Sequence, residues 1–365
     1  MQKISGIYSI YLKTNFGSSF IVTFFSFWVD NLEIDYIISL VMRMTVKKQV
    51  LKILENNRDC YISGNDIAKE LFVSRNAVWK AVNALKNDGY TINSVTNKGY
   101  MLSADTDIVS AESISKYLKY NLDITVLSEI DSTNNYLKKL ASDGEKEGKL
   151  VVACKQTKGK GRMGRSFYSP DNTGIYFSLL LRPKYSAEKS LFLTVMAAVA
   201  VAETAMVYSD ADIKIKWVND VYANGKKLCG ILTEGSVSLE NNGLDYAVIG
   251  IGVNVTAPES GFPDDIKNTA TAVFPGNRAP GDAKSRIAGE VVNRILDMYY
   301  GKDTDYISRY QKMSFLDGKA VNIINSDSIE PAVVIRIDEN CGLVVKKENG
   351  EIKTLSSGDV SVRVK

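Results

Sequence analysis

Residues 150–165 read LVVACKQTKGKGRMGR, an apolar run from Leu150 to Cys154 followed, from Gln156, by a loop of glycines and cations. The run is short and bounded by turn residues, which predicts a buried strand. In the loop, three glycines (Gly159, Gly161, Gly164) are interleaved with four cations (Lys158, Lys160, Arg162, Arg165) over eight positions. Glycines let a backbone approach an anion closely, and amides together with cations cancel its charge. The spacing matches neither G-x-x-x-x-G-K-[ST] nor a G-x-G-x-x-G after a first strand, so the usual NTPase and dinucleotide readings fail. The loop reads as a clamp for a phosphate or carboxylate; the alternative is a flexible basic loop touching nucleic acid.

Upstream, Val126 to Ile130 reads as a strand, and Asp131-Ser132-Thr133-Asn134 opens a helix through Leu137, Leu140 and Ala141. All four residues are good helix caps, so capping is their simplest role. Downstream, Ile175 to Leu181 alternates as a strand. Leu191 to Val207 is an apolar helix too rich in alanine and too interrupted to be transmembrane. Ile213 to Trp217 alternates apolar and basic and ends in Val218-Asn219-Asp220-Val221, where Lys216 on its own reads as an exposed strand position. Lys227 to Leu232 and Tyr246 to Ile251 are further strands. The last runs into Gly250-Ile-Gly252-Val-Asn254, small residues against which a ligand ring can lie flat.

The whole chain sets bounds on these readings. Its 365 residues predict two to three domains at roughly 150 residues each. At 45% hydrophobic and 24% charged it is neither collagenous, disordered nor a disulfide scaffold. There is no histidine, which rules out Ser-His and Cys-His pairs and His-ligated metals. Cys60, Cys154, Cys229 and Cys341 lie 75 or more residues apart and read as free thiols in a reducing compartment. The net charge of +3 names no partner, but residues 45–104 carry nine Lys/Arg against five Asp/Glu.

That basic block reads as a domain. Val46, Val50, Ile53 and Leu54 mark one helix, and Ser63 or Asn65 caps a second. Ser74 caps a third, with Ala77, Val78, Ala81, Val82 and Leu85 as its buried stripe and Asp88-Gly89 as its end. Tyr90 to Leu102 is a hairpin turning at Asn97-Lys98-Gly99, which completes a winged helix-turn-helix. On the third helix Arg75, Asn76, Lys80 and Asn83 suit phosphate and base-edge contacts in a major groove, with Ser74, Ser63 and Lys98 near the backbone. Trp79 reads as a packing residue. A protein-contact role is the alternative, and the local charge favours DNA. Residues 1–44 read as a mis-assigned start or a dispensable extension. The run Phe20 to Val29 is too short to span a bilayer. At the other end, five short alternating segments (Ala320–Ile324, Ala332–Ile337, Gly342–Val345, Ile352–Leu355, Val360–Val364) predict a small SH3-like barrel.

Taken in order, Asp131-Ser-Thr-Asn134, the Gly159–Arg165 loop, Lys216-Trp-Val-Asn-Asp220, Gly230-Ile-Leu-Thr-Glu234 and Gly250-x-Gly-x-Asn254 resemble the biotin–protein ligases. With the winged helix, residues 45–365 resemble the bifunctional biotin ligases and biotin-operon repressors of bacteria. The resemblance implies an α+β multidomain chain. A winged helix-turn-helix (45–104) precedes a central mixed-sheet α/β ligase domain (107–310) and an SH3-like domain (315–365). It implies that biotin and ATP, with Mg²⁺, form biotinyl-5′-AMP, and that biotin then passes to a lysine of the biotin carboxyl carrier protein of acetyl-CoA carboxylase. Biotinyl-5′-AMP is also the expected corepressor, favouring a homodimer on operator DNA in the cytoplasm, with no membrane involvement.

Residue by residue, Ser132, Thr133, Asn134 and Gln156 match biotin-binding positions, as do Gly250 and Gly252. Lys160, Gly161 and Arg162 match the loop that folds over biotin and its adenylate. Lys216, with Arg162, matches the catalytic cations. Gly159, Arg165, Asn219 and Asn254 are expected on the nucleotide side, and Asp220 is the candidate carboxylate near Mg²⁺. Lys158 and Lys160 replace a customary small residue and arginine, and Val218 replaces a customary proline. Two other readings are a lipoate-type ligase and a catalytically inactive, metabolite-sensing repressor.

Overall fold

The computed structural model describes residues 8–13, 19–24, 46–184, 187–237, 243–276, 279–324, 328–356 and 361–364. They fall into two compact units: 1–54 with 61–101, and 55–60 with 102–365.

In the first unit, β1 (Tyr8–Lys13) pairs antiparallel with β2 (Ser19–Phe24). The remainder of 1–44, including most of the apolar run after Phe24, lies outside the described residues. Helix α1 covers 46–56. Ser63 caps α2 (Gly64–Glu70) by accepting from the Asp66 amide, and Ser74 caps α3 (Arg75–Asn87) by accepting from the Ala77 amide. Val78, Ala81, Val82 and Leu85 are buried as their spacing requires. The wing is β3 (Ile92–Val95) and β4 (Gly99–Leu102), with Tyr100 also bridging Ile62. Gly99 turns the wing at φ +104°, and a Cβ there would lie 2.6 Å from the Ile62 carbonyl carbon, so no other residue fits.

The second unit is built on a seven-stranded mixed sheet in the order β5-β6-β7-β11-β10-β9-β8. The strands are β5 (Asp123–Ile130), β6 (Lys149–Gln156), β7 (Gly174–Leu181), β8 (Ile213–Lys216), β9 (Asp220–Ala223), β10 (Lys226–Val237) and β11 (Leu244–Asn254). Only β5 and β6 pair in parallel; the other neighbours are antiparallel. Side-chain alternation sorts the sheet into two faces. Val151, Leu180 and Val248 pack with Leu137 and Ala141 of α5 (Thr133–Ser142). Their neighbours Leu150, Val152, Leu179, Leu181 and Ile249 pack with α6 (Leu191–Tyr208) and α7 (Ala283–Tyr299). Helix α6 is long and apolar enough to cross a membrane, yet most of it is buried in this core.

Two short helices complete the unit, α4 (Ala111–Ser115) and α8 (Tyr306–Lys312). The C-terminal SH3-like domain is a five-stranded antiparallel sheet ordered β15-β14-β13-β12-β16. Its strands are β12 (Ala320–Ile324), β13 (Ile329–Ile337), β14 (Leu343–Lys347), β15 (Ile352–Leu355) and β16 (Ser361–Val364). Its core is continuous with that of the large sheet. It also grips the β8–β9 hairpin. Trp217 Nε1 donates to the Cys341 carbonyl at 2.9 Å, and the buried Tyr310 hydroxyl of α8 donates to the Val218 carbonyl at 3.0 Å. The Trp217–Val218 peptide is cis. Helices α4, α7 and α8 and strand β9 were not anticipated from the sequence pattern.

Candidate functional site

The α5 face of the sheet carries a floor of glycines. Strand register places Gly250 between Ser178 and Leu232, and Gly252 between Tyr176 and Gly230. Over this floor stands the first turn of α5, where Ser132, Thr133 and Asn134 are all buried. Ser132 is the N-cap residue, yet its side chain makes no cap hydrogen bond, so simple capping does not account for the tetrad. Thr133 donates to Gln156 Oε1 from its amide (2.9 Å) and lies 3.2 Å from the same oxygen through its hydroxyl. Asn134 Nδ2 donates to Glu234 Oε2 (2.8 Å) and to the Leu232 carbonyl (3.1 Å), while its Oδ1 accepts from Ser178 Oγ (2.6 Å). Both polar atoms of Asn134 are thus engaged within the protein. A Cβ on Gly250 would lie 2.7 Å from Asn134 Cγ, which is why that position has none.

The glycine–cation loop lies beside this recess. Gly159 is pressed against the Phe167 carbonyl and the Ser169 hydroxyl, and Gly161 N donates to the Arg165 carbonyl at 2.7 Å. Phe167 follows the loop, and its ring rests on the glycine floor: a Cβ on Gly252 would lie 2.5 Å from Phe167 Cε1, and one on Gly230 would lie 3.0 Å from Cε2. The flat backbone read as a bed for a ligand ring is occupied here by the protein's own ring. Phe167 walls three adjoining cavities. The first is a recess of about 30 Å³ between Ser132, Thr133, Gln156, Gly250 and Gly252, room for little more than a water or two. A second, about 110 Å³, is lined by cations. The third, about 740 Å³, runs past Asn254 to the apolar Phe262, Pro263 and Ile266.

The cations divide between these cavities. Lys160 borders the recess and the cationic cavity and donates to Asn135 Oδ1 at 2.7 Å. Arg162, Arg165, Lys216, Asn219 and Asp220 line the cationic cavity and not the recess. Arg162 donates to Asn219 Oδ1 at 3.5 Å, and burial lowers its pKa. Lys227, read in the sequence only as the start of a strand, borders both the cationic and the large cavity. Its ammonium pairs with Asp220 at 2.8 Å and lies 5.8 Å from the centre of the Phe167 ring. Its hidden signal was position: Lys227 faces Tyr222 across the β9–β10 hairpin, whose first strand starts at Asp220, opposite Lys216. Asn254, at the end of β11, lines the large cavity and donates to the Thr271 carbonyl. Among the described residues no group of three or more Asp, Glu or Cys is placed to hold a metal ion, and Asp220 is a single carboxylate already paired with Lys227.

In the first unit, Ser74, Arg75, Asn76 and Lys80 are exposed on α3 and Asn83 is half-buried beside them. Trp79 was expected to pack; it is 53% exposed on the same side, because the buried stripe of α3 is complete without it.

A helix-turn-helix joined to a sheet that gathers a small polar recess, a cationic cavity and a large cleft around one phenylalanine defines a DNA-binding unit on a carboxylate- or phosphate-handling enzyme. Known proteins agree. Residues 126–254 match the biotin/lipoate A/B protein ligase family, 46–101 an HTH domain, and 318–363 the biotin protein ligase C-terminal domain. The chain is 35% identical over 274 residues to the bifunctional ligase/repressor BirA of Bacillus subtilis (strain 168), covering 73% of this chain and 81% of that one. It is 27% identical over 323 residues to BirA of Escherichia coli (strain K12), covering 87% and 98%. The biotin protein ligase of Aquifex aeolicus in complex with biotin and ATP superposes with a TM-score of 0.54 at 26% identity, over 67% of this chain and 99% of that one. The chain belongs to the biotin–protein ligase family, in its bifunctional ligase/repressor branch.

Proposed function

We propose that this protein is an ATP-dependent biotin–[biotin carboxyl carrier protein] ligase that also represses transcription. It joins biotin to ATP as biotinyl-5′-AMP and passes biotin to a lysine of the carrier. The observation that carries the reading is the convergence of three cavities on Phe167, with Lys227 at the junction of the two larger ones. A ureido ring has one acceptor and two donors that need partners once buried, and Ser132, Thr133 and Gln156 offer them in the small recess. That recess opens to a bicyclic ring only as Phe167 leaves the floor. The biotin carboxylate then points toward Lys227 and the cationic cavity, and the adenosine takes the large cavity beside Asn254.

In the first step the carboxylate oxygen attacks the α-phosphorus and pyrophosphate leaves. In the second, the carrier lysine's amine attacks the acyl carbon and AMP leaves. Negative charge develops on oxygens in both, so fixed cations (Lys160, Arg162, Lys216, Lys227) are the main catalytic device, and no covalent enzyme intermediate is needed. Mg²⁺ supplies charge neutralisation on the triphosphate. The single, ion-paired Asp220 does not form a protein site for it.

The repressor function rests on α3, whose Arg75, Asn76, Lys80 and Asn83 are offered to operator DNA. Biotinyl-5′-AMP is the corepressor: ordering the 156–165 loop favours a homodimer, which presents two winged helices to paired half-sites. These partners place the protein in the cytoplasm. Incubating the full chain with ATP, biotin and a carrier domain should add the mass of one biotin to one carrier lysine. An unmodified carrier, with biotin and ATP both present, contradicts the ligase reading.

A further inference from the structure

We infer that Glu234 and Ser178, neither of which lines the small recess, fix the direction of the Thr133 hydroxyl and so make the recess select a ligand that donates a hydrogen bond to it. The inference rests on the ligase reading and adds what sets the specificity of its biotin recess.

The logic is a count of protons. A carboxylate and a carbonyl only accept, so Glu234 Oε2 at 2.8 Å and the Leu232 carbonyl at 3.1 Å require the Asn134 NH₂ to face them. Lys138 holds Glu234 as a carboxylate through a 2.5 Å contact with Oε1. The Asn134 oxygen therefore faces Ser178 and takes its single proton at 2.6 Å. Ser178 Oγ also lies 2.8 Å from Thr133 Oγ1 in a geometry that would suit it as donor, but its one proton is spent at the shorter contact with Asn134, so at Thr133 it is left to accept. The other neighbour of Thr133 is Gln156 Oε1 at 3.2 Å. That amide is oriented too: its oxygen accepts from the Thr133 amide, and its nitrogen donates to Ser169, whose proton goes to the Phe167 carbonyl. Whichever acceptor it chooses, the Thr133 proton points into the protein, and lone pairs face the recess. A ureido N–H satisfies them. A ring oxygen in its place sets two acceptors against each other.

The test uses ATP–pyrophosphate exchange by the full chain with biotin and two cyclic carbamate analogues, each with one ureido N–H replaced by oxygen. Wild type should reject one carbamate by at least about 30-fold in kcat/KM. Glu234→Gln can offer Asn134 either an oxygen or an NH₂, so the amide is free to reverse and the Thr133 proton to turn outward. Its biotin KM should rise about 10-fold with kcat within about twofold, and the rejection should fall below about 5-fold. Ser178→Ala, which breaks the relay at its centre, should lower the same ratio and decides the matter if Glu234→Gln does not fold. A merely structural role would lower the urea midpoint and leave the ratio intact, and that result overturns the inference. So does a wild type that uses both carbamates as well as biotin, whereas a wild type with no biotin-dependent exchange overturns the ligase reading itself.

Discussion

Replacing Gly250 by alanine puts one methyl group into the most constrained point of the recess. The new Cβ would stand 2.7 Å from Asn134 Cγ, so the amide must retreat by about an ångström to reach ordinary contact. It cannot do so freely, because Ser178, Glu234 and the Leu232 carbonyl hold it at 2.6, 2.8 and 3.1 Å. Losing two of these bonds in a buried site costs about 2–5 kcal/mol. Alanine in a strand returns about 0.5–1 kcal/mol relative to glycine, leaving a net loss of about 1–4.5 kcal/mol. Gly252→Ala is the internal control, since the three atoms nearest its methyl all belong to the Phe167 ring, which can swing into the adjoining cavity of about 740 Å³. Its stability should stay within about 1 kcal/mol of wild type. Urea unfolding at constant m-value measures both, and isothermal titration with biotin should show at least a 10-fold weaker Kd for Gly250→Ala, on the order of one lost hydrogen bond. Equal stability of the two variants, with unchanged biotin affinity, would refute the reasoning.

Other perturbations follow from the same contacts. Lys227→Ala should lower biotin-dependent pyrophosphate exchange by about 100-fold or more while biotin binding changes far less, as equilibrium dialysis would show. Tyr310→Phe strips the Val218 carbonyl of its buried donor and should cost about 1–3 kcal/mol in urea unfolding. Burial alone would raise the Glu234 carboxyl, but hydrogen bonds from Lys138 and Asn134 hold it below its ordinary value. A carboxyl depressed in the folded state stabilises above its unfolded pKa and loses that contribution as pH falls through the folded one. In Lys138→Met that contribution is largely absent, so the variant should fall furthest below wild type near neutral pH and the gap should close as pH falls, read from urea midpoints across roughly pH 6 to 3. Arg75→Ala should weaken DNA binding and flatten the plot of log affinity against log salt by about one unit if it neutralises one phosphate.

Local signals carried most of the fold. Ser63 and Ser74 cap the helices they were expected to cap, and two of the five C-terminal strands, β12 and β15, begin and end where alternation and turn residues set them. Helix α7 escaped because buried Lys284, Ser285 and Asn293 interrupt its apolar stripe; Asn293, for one, is spent on backbone bonds to Tyr117 and Lys119. The site was legible as motifs but not as geometry. Lys216 drew notice by its place in a motif, whereas Lys227 reaches the junction of two cavities only through the register of β9 and β10. Ser178 left a trace, the one serine in the run Ile175 to Leu181, and it is fully buried with a partner on each side. Phe167 left none, since its importance comes from two glycines more than sixty residues away in sequence that admit its ring.

Biotin-dependent ATP–pyrophosphate exchange on the purified full chain, with lipoate run in parallel, tests the central claim most directly. Exchange with biotin and none with lipoate is the result this account predicts. Exchange with lipoate alone, or none with either, would contradict it.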